Sequence, residues 1–299
     1  PLFHLMRALP EDAFLVSATR LGGLNGLEEN PAANPTGGAV GGFTKALGME
    51  RSKAFAKVVD FETGAEAGQV ARCLIDETLS DPAVNEVGWK EGLRYSPTLL
   101  ERDFVSRQAK ISEGAVFVVS GGAGGITAPI VTELGAALRG RFFLLGRSPL
   151  PAAEDPDLAL LKQDRAALRQ AWMERLSAQG EKPTPAQLES KLAAFERAAA
   201  ALEAVQAVRT AGGQAEYLVC DLNDPAAVKA ALGKVKKTAK RVDVLIHAAG
   251  VDKSRKLDGK TIEEFRQVVA VKAEGIHHLA SALCELSLTP QAVVLFSSV

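Results

Sequence analysis

The sequence predicts an α/β protein whose larger part is a doubly wound parallel sheet, preceded by a smaller α/β unit. Three observations carry this. Short runs of β-formers alternate with helical patterns along most of the chain, which implies βαβ units. In the second half these runs are nearly continuously apolar, as strands covered on both faces must be. One of them, Val116–Val119, breaks at once into a glycine cluster and then a helix-compatible stretch, Ile126–Leu138.

With 299 residues, 47% of them hydrophobic, the chain can bury a large core and divide into two units. A net charge of −1 and the lack of a long basic run argue against a nucleic-acid partner. Its uncharged apolar stretches are too short to span a bilayer, and no N-terminal signal pattern is present. Cys73, Cys220 and Cys284 are scattered in apolar surroundings and read as buried, reduced thiols. The expected setting is therefore the cytoplasm. The four histidines form no ligand-like cluster, so no metal site is expected.

The first unit is expected over residues 1–112, with strands at Ala13–Ala18, Ala56–Phe61, Asn85–Trp89 and near Leu93–Thr98. Its glycine-rich segment Gly37–Met49 reads as a helix. Because that segment follows NPAANPT rather than a strand, its small residues suit close helix packing better than phosphate binding. Phe104–Gly114 reads as a connector. The second unit, residues 113–299, should hold strands at Val116–Val119, Arg141–Leu145, Ala215–Cys220, Val242–His247 and Ala292–Phe296.

Between the second and third of these strands lies an extra charged segment, about 151–199, expected to be a helical hairpin. Leu158, Leu161, Leu168, Trp172 and Leu176 would share one face, and Leu188, Leu192, Phe195, Ala199 and Leu202 another. Gly180 can end the first helix. Thr184, Pro185 and Gln187 supply a capping box for the second. The hairpin either packs on its own unit or offers a docking surface within a larger assembly.

The candidate chemistry begins at the glycine cluster. Ser120, Gly121, Gly122, Ala123, Gly124, Gly125 and Ile126 link a strand to a helix, a geometry that brings bare N–H groups and a helix N-terminus to a pyrophosphate. After the next strand, Arg147 and Ser148 stand where an NAD-preferring fold usually places an acidic residue. A guanidinium and a hydroxyl suit a 2′-phosphate instead, which points to NADPH. A solvated strand-end arginine is the alternative.

Asp221, with Leu222, follows another strand and is placed for the adenine side of a cofactor; a helix cap competes, although Asp224 before Pro225 fills that role better. His247, Ala248, Ala249 and Gly250 end the next strand with small residues that permit close backbone approach, or simply form a tight turn.

Thr261 and Glu264 predict a helix start. Its apolar stripe runs Phe265, Val269, Ile276, Leu279 and Leu283, with Lys272 in the intermediate slot. A lysine in a core-facing row is costly unless it is paired or looks into a cleft; snorkelling is the alternative. Finally, Ser297 and Ser298 lie at the end of an apolar strand, where α/β sheets place ligands or where serines simply cap.

Ser120–Thr127, Leu145–Arg147, Cys220–Leu222, His247–Gly250, Val271–Gly275 and Phe296–Ser298 occur in one order. That order resembles the short-chain dehydrogenase/reductases, most closely the ketoreductase domains of polyketide and polyunsaturated-fatty-acid synthases. The resemblance covers nearly the whole chain, apart from the helical hairpin. It implies a Rossmann-like catalytic subdomain preceded by a degenerate Rossmann-like structural subdomain. By resemblance, Ser120–Ile126 cradle the pyrophosphate, Arg147 recognises the 2′-phosphate, Asp221 and Leu222 flank the adenine, and Ala249 and Gly250 lie along the cofactor. Ser298 matches the serine that hydrogen-bonds the substrate carbonyl, and Lys272 the lysine that supports proton delivery. The implied reaction is NADPH-dependent reduction of a β-ketoacyl thioester on an acyl carrier protein, next to other synthase domains.

Three departures stand out. Thr127 replaces the usual last glycine of the turn. Val251-Asp252-Lys253 does not match the paired-aspartate signature of alcohol stereochemistry. The family's tyrosine proton donor follows the serine, and the only tyrosines, Tyr95 and Tyr217, lie upstream. The expectation is thus little turnover by these residues alone. An epimerase or dehydratase of the same superfamily fits less well, given Lys272 and the doubled α/β layout. A structural or docking fragment still able to bind nucleotide is the alternative outside enzymes.

Overall fold

The computed structural model describes residues 1–28, 34–101, 111–180 and 182–297. It forms two compact units, Pro1–Arg107 with Ser254–Ile262, and Gln108–Lys253 with Glu263–Val299. Most of the expected connector, Phe104–Gly114, lies outside the described residues.

The first unit runs α1 (Leu2–Ala8), β1 (Leu15–Thr19), α2 (Gly37–Glu50), β2 (Ala56–Phe61), α3 (Ala67–Leu79), β3 (Glu86–Lys90) and β4 (Leu93–Tyr95). β1, β2 and β3 are parallel neighbours, and β4 turns back antiparallel on β3. That hairpin turns on Glu91 and Gly92, both at positive φ, the backbone of a two-residue loop that matches strand twist. The glycines of α2 serve packing: a Cβ on Gly37 would come within 3.0 Å of Leu21, and one on Gly48 within 3.0 Å of Ala56.

Two buried charges organise this unit. The Asp60 carboxylate accepts from Thr19 Oγ1, and from the backbone N–H groups of Leu21, Gly23 and Asn25. It therefore ties the loop after β1 to β2. Lys57, fully buried, donates to Glu77 at 3.1 Å and to the carbonyls of Ser80 and Asp81 at 2.9 Å each. Arg94 and the Trp89 indole also donate to Glu77. The segment Ser254–Ile262 joins this unit through a short 3₁₀ turn, Leu257–Gly259. There Arg51 bonds Asp258 at 3.1 Å, and the Leu257 N–H bonds Glu50 at 2.6 Å.

The second unit continues with β5 (Val116–Ser120), α4 (Thr127–Leu138), β6 (Arg141–Gly146), α5 (Pro156–Gln163), α6 (Arg165–Ala178), α7 (Pro185–Thr210), β7 (Gln214–Val219), α8 (Pro225–Ala239), β8 (Val244–His247), α9 (Ile262–Val269), a π turn (Ala270–Glu274), α10 (Gly275–Glu285) and β9 (Ala292–Leu295). All five strands are parallel, in the order β7-β6-β5-β8-β9. Alternate residues of β5 serve opposite faces. Val116 and Val118 join the core with Leu232, Val235, Leu279 and Leu283, whereas Phe117 and Val119 pack with Val131, Val205 and Val208. The Phe117 and Phe142 rings stack at 4.5 Å.

The segment between β6 and β7 is helical, but differs from the expectation at two points. Leu158 and Leu161 do not share a helix with Leu168, Trp172 and Leu176. Asp164 is extended and caps α6 through the Ala166 N–H at 2.8 Å, which separates α5 from α6. The following helix does not stop at Ala199 either; α7 runs on to Thr210, because no residue there breaks it. Its start is as expected: Gln187 N–H bonds Thr184 Oγ1 at 3.3 Å and Thr184 N–H bonds Gln187 at 2.8 Å. Of the cysteines, Cys73 and Cys220 are buried, but Cys284 is exposed, on the outer side of α10.

Candidate cofactor and catalytic site

The chain runs from β5 outward to β6 and β7, then returns to place β8 on the other side of β5. The carboxyl ends of β5 and β8 therefore flank the switch point of the sheet, where open α/β folds bind ligands. Both ends carry expected site residues. Ser120 and His247 are register partners across this boundary, both buried.

The glycine turn is built for close approach on one side and openness on the other. Gly121 has φ +71°, and a Cβ there would lie 2.6 Å from the Ala249 nitrogen, so the turn rests against Ala248 and Ala249. A Cβ on Gly122 would press on Val119 and Leu144. Ala123 is half-buried, whereas Gly124 and Gly125 are exposed and an added Cβ would meet nothing within 4 Å. Ile126, 74% exposed, precedes α4 without any side-chain cap. By contrast, Asp155, Asp164, Thr184 and Asp224 cap α5, α6, α7 and α8. The α4 N-terminus, where the Thr127 N–H bonds the Gly124 carbonyl at 3.2 Å, thus has no side-chain cap and lies beside an open glycine face, which fits a pyrophosphate. Thr127, at the position usually held by glycine, is buried as the first residue of α4.

On β6, Leu145 pairs with Ser120, so Arg147 leaves the sheet next to the glycine turn. Arg147 is exposed and makes no hydrogen bond or ion pair among the described residues. Ser148 is half-buried, and its carbonyl accepts from the Tyr217 hydroxyl at 2.7 Å. Asp221 is exposed and accepts from the Asn223 N–H at 3.0 Å, while Leu222 is buried. The adjoining Cys220 thiol is pushed up to about 11 by burial, then by Asp221 and Asp224, and is chemically quiet.

Ser120 and His247 turn their side chains on each other rather than outward. His247 Nε2 lies 3.0 Å from the Lys272 carbonyl, and Nδ1 lies 2.7 Å from Ser120 Oγ. A carbonyl can only accept, so Nε2 carries the proton and Nδ1 accepts from the serine. Burial, and then the charge of Lys272, lowers the His247 pKa, keeping the ring neutral. His278 Nδ1 makes a second tie from the same helical segment, to the Leu222 carbonyl at 2.7 Å.

Lys272 is exposed, not in a core-facing row. An apolar stripe at α-helical spacing requires an unbroken α-helix, and the π turn at Ala270–Glu274 adds a residue to the cycle. From within that turn onward the buried row is Val271, Gly275, Leu279, Ala282 and Leu283, while Val269 is 39% exposed. Lys272 Nζ instead donates to the Phe296 carbonyl at 3.0 Å, past the end of β9. A Cβ on Gly250 would sit 3.3 Å from Lys272 Cε, so that glycine keeps the path clear. Ser297 is exposed, and Ser298 lies outside the described residues. Tyr95 is on β4 of the first unit, and Tyr217 is on β7, three strands from β8.

The His247 ties predict an acid-sensitive component of stability. The unfolded histidine titrates near 6.5 and the folded one lower. Below about pH 6.5 the unfolded chain therefore gains a proton that the folded chain resists, so stability present above that pH is lost as it falls. Thermal unfolding from pH 7.5 down to 5 should show a steeper fall for the parent than for His247→Gln; parallel profiles would contradict it.

Sequence reasoning missed the π turn and the Tyr217 tie. The first had a signal: Phe265–Val269 and Val271–Gly275–Leu279 are two apolar rows out of phase on one helix.

A parallel sheet that opens on such a turn at its switch point is the architecture of the nicotinamide-dependent reductases. Within that class the chain belongs to the ketoreductase (KR) domain family, whose model matches residues 115–299. It is 31% identical over 271 residues to a polyunsaturated fatty acid synthase of Thraustochytrium sp., spanning 87% of this chain and 10% of that protein. It is 26% identical over 294 residues to polyketide synthase PksL of Bacillus subtilis, spanning 94% of this chain and 6% of that one. The chain thus corresponds to a tenth or less of these multidomain synthases. A solved ketoreductase domain from the bacillaene assembly line shares the fold, with TM-score 0.68, 22% identity, all of this chain and 58% of that one covered. No described helix is long and apolar enough to cross a membrane.

Proposed function

We propose that this region reduces a β-ketoacyl thioester, presented by an acyl carrier protein, to the β-hydroxyacyl thioester with NADPH. The observation that carries the cofactor half is the exposed Arg147, unpaired among the described residues, leaving β6 beside the glycine turn. A guanidinium there is matched to a 2′-phosphate and has no counterpart on NADH. Gly124, Gly125 and the uncapped α4 N-terminus would hold the pyrophosphate, with Ser148, Asp221, Leu222, Ala248, Ala249 and Gly250 along the remainder. The bound nicotinamide supplies the hydride.

The chain's own residues provide the electrostatics. Lys272 fixes a positive charge beyond the ends of β8 and β9, held by the Phe296 carbonyl. A cation there favours a developing alkoxide and lowers the pKa of a neighbouring proton donor. Ser298, two residues past Phe296, is the proposed hydrogen-bond donor to the substrate carbonyl.

Fluorescence titration tests the cofactor half. The parent should bind NADPH more tightly than NADH, and Arg147→Ala should weaken NADPH by roughly tenfold to a hundredfold while leaving NADH unchanged, as expected for one lost charge-assisted contact. A parent that prefers NADH would overturn this reading.

A further inference from the structure

We infer that Tyr217 is a positioning residue that sets cofactor selectivity, because its phenol holds the loop that presents Arg147 and Ser148. This rests on the NADPH reading above and deepens it.

Four observations support it. The Tyr217 hydroxyl donates to the Ser148 carbonyl at 2.7 Å, across 69 residues of sequence. Gly146, where β6 ends, leaves room for the phenol: a Cβ there would lie 2.3 Å from the tyrosine oxygen. Strand end and ring are thus fitted to each other, since any side chain at Gly146 would displace the phenol or the loop. Half-burial raises the Tyr217 pKa, so the hydroxyl stays a donor across the neutral and alkaline range.

The fourth is the path of the chain beyond the loop. Ser148 is succeeded by Pro149 and Pro151, which lack N–H groups, and then by the long helical excursion α5–α7 before the chain returns as β7. The phenol is therefore a fixed point between the cofactor loop and the helices hanging from it. Tyr217 itself sits on β7, the strand to which that excursion returns, and its register partner on β6 is Leu144. The Tyr217–Ser148 hydrogen bond extends the closure of the excursion past the last backbone tie between the strands, Cys220 N–H to the Gly146 carbonyl at 2.8 Å, to Ser148. Without it, Arg147 keeps its charge, but the backbone that carries it loses the tie at Ser148.

The consequence is selective, because only NADPH carries a group that the arginine direction affects. Tyr217→Phe removes the hydroxyl and keeps the ring. Titrating parent and variant with both nucleotides, we expect the NADPH-to-NADH affinity ratio to fall about threefold to tenfold in the variant, the range for one uncharged hydrogen bond. NADH affinity should stay within about twofold, which also certifies that the variant is folded. If the parent prefers NADPH and Tyr217→Phe keeps the full ratio, the inference is wrong. An equal loss of both nucleotides also overturns it, since a merely structural role would act on both. A parent without NADPH preference fails the underlying reading instead, and Arg147→Ala read in the same titration separates the two.

Discussion

Gly121→Ala is expected to cost about 2–4 kcal/mol of stability and to abolish measurable NADPH binding. The cost has two sources. The residue would keep φ +71°, a conformation L side chains rarely adopt, and its Cβ would lie within 2.8 Å of the backbone of Ala248 and Ala249. Backbone on both sides of the switch point cannot yield without moving β5 or β8. Gly124→Val is the informative contrast. Its Cβ enters open space, so unfolding by denaturant should change by less than about 0.5 kcal/mol, while NADPH affinity falls more than about tenfold. Equal destabilisation by the two changes would refute this division of labour within one turn.

The second large effect lies in the first unit. Glu77→Ala should destabilise the chain by about 3–5 kcal/mol, because it leaves the Lys57 ammonium buried without its counter-charge. Although burial opposes ionisation of Glu77, its bonds from Arg94 and Lys57 hold the carboxyl below the usual carboxylate range. The glutamate is therefore charged at neutral pH and its removal is a true loss of charge. Replacing both partners, as Lys57→Met with Glu77→Leu, should recover much of that loss in urea unfolding. A double variant as unstable as Glu77→Ala would show that shape rather than charge governs the site.

Much of the layout was legible because each strand announces itself locally. The expected strands at Ala56–Phe61 and Val116–Val119, for instance, fall within one residue of β2 and β5, since a strand buried on both faces has little choice but to be apolar. The capping box at Thr184 was equally local, and so visible. Arg147 was legible because a strand end next to a glycine turn is a special place in any doubly wound sheet. The hidden features depend on partners far away in sequence. Periodicity places Lys272 in a buried row only if the helix is uniform, and a single π turn reverses the outcome. In the sequence Tyr217 is only a tyrosine in the wrong place for proton donation, since nothing near it points to Ser148. Asp164 broke a helix that the leucine spacing had joined, because an aspartate is a modest helix former but a strong cap.

Ser254–Ile262 has a practical meaning for anyone who would recombine such regions. The first unit is assembled from two stretches of chain that are separated by most of the second. No single cut releases it whole. A chimera joined in the 102–110 stretch would import a foreign Ser254–Ile262 against the native Arg51 and Glu50, so grafts should exchange both stretches together, Arg51 with its Asp258 partner. Modularity in this chain follows spatial contacts rather than sequence order.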